Sequence, residues 1–207
     1  MKKITKEINF DKKKLGKICF LPNDNSVRNI EKQVLKSIKK LKAFYNINVS
    51  NINIELVYSR KELNKKLKRK TPNWLIGTVV KNKIYIFSLL SITKHNCHKN
   101  NKFNKLINHE LCHIFNAKLN KKMPIWLDEG IALYLSRQEK KKDFKKSDWQ
   151  FFIENINKNI SFNSFLKHDG YKVSYWLVKK LFDNSNKNKL LKLIKKPSLI
   201  KREGLLR

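Results

Sequence analysis

The sequence predicts an α+β protein, with a small mixed sheet and helices in its first part and helices alone after that. Two observations carry the first half of this expectation. Apolar and polar residues alternate with the two-residue period of a strand over residues 52–58 (INIELVY), and two β-rich runs flank a short turn in WLIGTVVKNKIYIFSLL. Between them and the N-terminus, Val27, Ile30, Val34, Ile38 and Leu41 recur at helical spacing. The third observation is negative: beyond residue 103 the apolar residues follow helical periods only.

Taken in order, residues 17–21 (KICFL) read as a short strand, and Asp24, Asn25 or Ser26 in the following PNDNS can cap a helix. That helix covers residues 27–45 and has a Lys-rich outer face. Residues 60–69 read as a short, exposed basic helix ended by Pro72. The β-rich runs form a hairpin through Lys81-Asn82-Lys83, with Asn82 taking the turn conformation. Residues 93–102 are a polar loop, and 103–119 are a helix. The loop NKKMP leads to a third helix opening near Ile125 and Trp126. A charged connection, 140–148, precedes helices at 149–157, 171–183 and 185–196, the last ending before Pro197. The tail from Ser198 is expected to be loose.

A length of 207 residues, with 41% hydrophobic and 11% aromatic residues, suits one globular domain, residues 1–207. Its charge is extreme: 48 Lys+Arg against 16 Asp+Glu, a formal +32. Such a charge suits polyanionic partners, nucleic acid among them. However, the cations are mostly Lys, spread along the whole chain, in a sequence rich in Lys, Asn and Ile throughout. Compositional bias therefore explains them better than a nucleic-acid site, which would cluster Arg with aromatics. Cys19, Cys97 and Cys112 are odd in number and form no CxxC pair, which argues against a disulfide framework. Charges interrupt every apolar stretch of the N-terminus, and no run approaches the ~20 apolar residues of a membrane span. A cytoplasmic location is the expectation.

The chemistry is concentrated in His109-Glu110-Leu111-Cys112-His113. Positions i and i+4 share a helix face, so both imidazoles can meet one ion. Glu110, rotated by about 100° from His109, stands beside that ion, where a general base for an attacking water must sit. Leu106, Ile107, Leu111, Ile114 and Phe115 make the helix apolar. Two His and a Glu in such surroundings are costly to desolvate without a compensating metal. Sixteen positions after His113, within Pro124-Ile125-Trp126-Leu127-Asp128-Glu129-Gly130-Ile131-Ala132, Glu129 can complete the site if the two helices pack antiparallel. Three protein ligands and one open position make a catalytic zinc site, with one Zn2+ per chain.

HELCH followed by PIWLDEGIALYL resembles the gluzincins, zinc peptidases whose third ligand is Glu, and most closely the peptidase MA-like, minigluzincin-type group. INIELVY, the helix after it and the hairpin around WLIGTVVKNKIYIF are similar to that group's N-terminal lobe. The resemblance implies the thermolysin-like zincin fold: a mixed α/β upper lobe, about 17–120, a helical lower lobe, 121–197, and an active-site cleft between. It implies that an edge strand, here residues 83–89, binds extended peptide by strand addition. It assigns His109, His113 and Glu129 to the metal and Glu110 to the base. Tyr171, in Tyr171-Lys172-Val173-Ser174, matches the helix start whose Tyr stabilises the oxyanion. His168 and Tyr175 are the alternatives, Tyr175 reading better as a core aromatic.

The chain departs from the thermolysin pattern at Leu133, where a carboxylate one turn after the third ligand can hold a His. Asp128 reads equally well as an outer partner of the site and as a surface or capping residue. His95-Asn96-Cys97-His98 reads as a solvated loop and Cys112 as a core residue rather than a nucleophile. The expected activity is zinc-dependent peptide hydrolysis by an endopeptidase. The competing expectation is a basic nucleic-acid-associated protein with a zinc site, or a protease acting on nucleic-acid-bound proteins.

Overall fold

The computed structural model describes residues 2–94 and 100–202. Five strands and ten helices among them make a mixed α+β protein. The chain divides into two compact units, Met1–Ile114 and Phe115–Arg207.

The first unit holds one sheet, ordered β1-β2-β3-β5-β4. Strands β1 (Ile4–Phe10) and β2 (Lys13–Phe20) form an antiparallel hairpin through Asp11 and Lys12, both at positive φ. Strand β3 (Ile52–Val57) runs parallel to β2 and to β5 (Lys83–Phe87), and β4 (Gly77–Val80) closes the sheet antiparallel to β5. Residues 83–89 are therefore not an edge. β5 lies inside the sheet, its chain leaves strand geometry after Phe87, and β4 is the edge. The apolar content decides this: Ile84, Ile86 and Phe87 are all buried, whereas β4 is a short strand whose Val80 is exposed. The turn between β4 and β5 places Lys81, not Asn82, at positive φ.

Helix α1 (Val27–Tyr45) buries the predicted stripe of Val27, Ile30, Val34, Ile38 and Leu41. Its N-cap is Ser26, and the buried Asp24 organises the segment before it. Asp24 accepts hydrogen bonds from Ser26 N (3.0 Å), Tyr58 Oη (2.8 Å) and Ser88 Oγ (2.5 Å), tying the entry of α1 to the ends of β3 and β5. Helix α2 (Arg60–Leu67) starts at Ser59, which accepts from Glu62 N, and ends at Lys68 in the left-handed conformation rather than at Pro72. Arg60 then donates to the carbonyls of Leu75 (2.5 Å) and Asn73 (2.8 Å), which keeps the segment before β4 irregular. Glu55 of β3, almost wholly buried, accepts from Lys3 (3.1 Å), Lys66 (2.7 Å) and Lys83 (2.6 Å). Helix α3 (Leu89–Lys94) follows, and the His95–His98 segment, Cys97 included, lies outside the described residues.

Helix α4 (Asn100–Leu119) is continuous across the boundary of the two units. The second unit is helical: α5 (Ile125–Leu135), α6 (Lys146–Glu154), α7 (Phe162–Lys167), α8 (Gly170–Asp183), α9 (Lys187–Lys195) and α10 (Ser198–Arg202). Helices α7 and α10 have no counterpart in the sequence reading. In place of a loose tail from Ser198, α10 buries Ile200, and residues 203–207 lie outside the described set. Trp126 donates from Nε1 to the Ile156 carbonyl at 2.8 Å, fixing α5 against the end of the α6 segment. Cys19 and Cys112 are free thiols, Cys112 fully buried. Among the described residues no helix is long and apolar enough to cross a membrane.

Candidate metal centre

Helix α4 buries apolar residues on several sides: Phe103, Ile107, Leu111, Ile114 and Phe115. It also buries polar ones, Asn108, His109, Glu110 and Asn116. Polar groups carry a large desolvation cost there, so a run of them in one helix marks a site rather than a packing surface.

The i, i+4 spacing of His109 and His113 brings their rings edge to face at 81°, with the two Nε2 atoms 3.1 Å apart. Two nitrogens bound at about 2.0–2.1 Å to one tetrahedral ion lie roughly 3.3 Å apart. The imidazole pair therefore already has the separation that a shared ion requires. Glu129, on the first half of α5, completes the set. One ligand atom from each of His109, His113 and Glu129 lies within 4.8 Å of the others. Two imidazoles and a carboxylate are a donor set suited to zinc.

One contact ties α4 to the residue before Glu129. Asn116 donates from Nδ2 to the Asp128 carboxylate at 2.7 Å and to the Asp128 carbonyl at 3.3 Å. The signal was present in the helical phase, since Asn116 follows His113 by three positions and His109 by seven. Asp128 thus has neither a free surface role nor a simple capping role. It anchors the turn of helix that presents Glu129.

Glu110 is buried, and its carboxylate lies against the backbone of the edge strand. A Cβ added at Gly77, the first residue of β4, would stand 2.8 Å from Glu110 Oε1. Only glycine lets the strand approach the carboxylate this closely.

The remaining sequence candidates lie in the second unit. Tyr171 stands in the first turn of α8, half-buried, its ring edge to face with Phe165 at 5.1 Å. His168 places Nδ1 3.0 Å from Asp148 Oδ1 and stacks on Phe151 at 3.9 Å. Tyr175 is buried beside Tyr134 and Trp176, and burial raises its hydroxyl pKa, as befits a core aromatic. Leu133 is in the core. No family model matches the chain, and no curated protein matches it.

Proposed function

We propose that the chain is a zinc-dependent peptidase of the gluzincin type, built on the thermolysin-like zincin plan and acting as an endopeptidase. The observation that carries this reading is the grouping of His109, His113 and Glu129, with Glu110 next in sequence to the first of them. Zinc bound there would acidify a water molecule toward neutral pH and polarise a carbonyl oxygen. Glu110 takes the proton from the attacking water and returns it to the leaving amine. Its burial beside Gly77 keeps competing solvent away from that proton. Tyr171 donates a hydrogen bond from its hydroxyl to the developing oxyanion. The open edge of β4 accepts an extended peptide by strand addition, which delivers the scissile bond beside Glu110. The free cysteines fit a reducing compartment, and we assign the protein to the cytoplasm.

The test is metal content by mass spectrometry on untagged wild type and Glu129→Ala. About one zinc per wild-type chain, sharply reduced in the variant, is expected. A wild type that takes up no added zinc would overturn the reading. In that case the +32 charge favours a second reading, a nucleic-acid-associated protein, recognised by binding that weakens steeply with salt.

A further inference from the structure

Compositional bias spreads lysine along the whole chain, but one segment of the first unit arranges its cations in a way that bias does not explain. Residues 63–109 hold ten Lys and one Arg and no Asp or Glu, so the local charge has no acid of its own to offset it. The one Arg, Arg69, lies with Lys65, Lys66, Lys68 and Lys70 where α2 ends. Lys66 reaches Glu55, 2.7 Å away. Lys65, Lys68, Arg69 and Lys70 are all exposed, and none is paired with an acid among the described residues. Cations in a last helical turn complement the helix dipole, which accounts for Lys65 and Lys66 but not for Arg69 and Lys70 beyond the cap.

The backbone that carries them is held in place by hydrogen bonds. Asn64 accepts from Arg69 N through its carbonyl (3.2 Å) and from Thr71 N and Oγ1 through Oδ1 (2.9 and 2.7 Å). Arg60, one helical turn earlier, donates to Thr71 Oγ1 (3.1 Å) and to the carbonyls of Asn73 and Leu75. Leu75 N closes a turn onto the Pro72 carbonyl at 3.1 Å. Asn64 and Arg60 thus fold residues 69–75 back on their own helix, and the turn presents Trp74, 51% exposed. Arg69 and Trp74 are five positions apart, no more than about 18 Å even along an extended chain.

We propose that residues 65–74 bind single-stranded nucleic acid, the cations taking phosphates and Trp74 stacking on an unpaired base. Arg69 suits a phosphate through two parallel N–H bonds. A duplex keeps its base faces stacked inside, so it would use the cations and not the indole. An anionic bilayer would need more exposed apolar surface, and here Leu63 is buried and Leu67 and Leu75 are half-buried. None of these residues belongs to the candidate metal group, so the proposal stands apart from the peptidase reading.

The experiment is fluorescence anisotropy of a dye-tagged oligothymidylate of about 12 nucleotides with the 207-residue chain, between about 0.05 and 0.2 M salt. The triple variant Lys65→Gln/Arg69→Gln/Lys70→Gln should weaken binding more than about tenfold. It should also reduce the log–log salt slope by about 2, three contacts at about 0.7 each. A matched variant, Lys192→Gln/Lys195→Gln/Lys196→Gln, removes the same charge from exposed positions of the second unit and should cost about twofold at most. Trp74→Ala should weaken the oligothymidylate about tenfold and leave a duplex of the same length unaffected, and Trp74→Phe should keep most of the affinity. No binding, equal losses in the two triple variants, or a Trp74→Ala protein that binds like wild type overturns the proposal. So does binding to vesicles of phosphatidylserine and phosphatidylcholine in place of the oligonucleotide. Unchanged melting of the variants shows that folding is not the cause, and the lysine–arginine triple and Trp74→Phe carry the test if Trp74→Ala melts lower. Zinc content enters no arm, so failure here leaves the peptidase reading intact, and a chain that takes up no zinc leaves this one intact.

Discussion

The Asn116 side chain grips Asp128 at both its carboxylate and its carbonyl, at 2.7 and 3.3 Å, one residue before the third candidate ligand. Asn116, three residues after His113 on α4, is thereby tied to the residue that precedes Glu129 on α5. Asn116→Ala should lower zinc affinity by about 10–100-fold, the usual cost of removing an outer partner of a metal site. Competition with a chromogenic chelator measures this. Affinity equal to wild type would show that α5 holds Glu129 in place without the contact.

Gly77→Ala tests the closeness of β4 to Glu110. The new methyl would meet Glu110 Oε1 at 2.8 Å, at the far end of a side chain that can rotate away. Stability should therefore change by less than about 1 kcal/mol, while peptide hydrolysis falls about tenfold or more as the base is displaced. Zinc content should stay at the wild-type level. A variant as active as wild type would mean that the Glu110 carboxylate works from another rotamer.

Glu110→Gln separates binding from chemistry. The amide keeps the size of the carboxylate and cannot accept the proton of the attacking water. Zinc content should be retained and hydrolysis should fall by about 10²–10⁴-fold. Cleavage as fast as wild type would remove Glu110 from the mechanism.

Acid stability is set in part at Glu55. Burial alone would raise its pKa, but hydrogen bonds from Lys66, Lys83 and Lys3 outweigh burial and lower it from 4.5 to about 2. A depressed folded-state pKa gives stability that is fully present above the unfolded value and is lost as pH falls from about 4.5 toward about 2. At about 1.4 kcal/mol per pKa unit this is at most about 3 kcal/mol, less after screening, because Lys66 and Lys83 are partly exposed. Melting temperature against pH should therefore fall more steeply in this window for wild type than for Glu55→Gln. Parallel curves would show that the lysines contribute nothing net.

Helix α1 and the β4–β5 hairpin were legible because apolar spacing alone determines them, as was the core of the site, since HELCH needs only the helical period to bring two imidazoles together. The β1–β2 hairpin was not legible. Its turn is Asp11-Lys12, without the glycine that usually marks one, and β1 buries only Ile8. Strand order was also hidden. Local alternation describes β4 and β5 alike, and the choice of β5 as the inner strand depends on its parallel pairing with β3, in which each residue meets a partner 30 positions away, as Val57 meets Phe87.

The edge strand has a colloidal consequence. β4 offers four residues of open backbone, Gly77–Val80, a shape that could pair with the same edge of a second copy and begin aggregation. Its shortness limits how many hydrogen bonds such pairing can form, and Lys81 and Lys83 at its end bring like charges together as two copies approach. With a net charge of +32 behind them, dispersion of the protein depends on ionic strength, and concentrated salt removes the repulsion that keeps those edges apart.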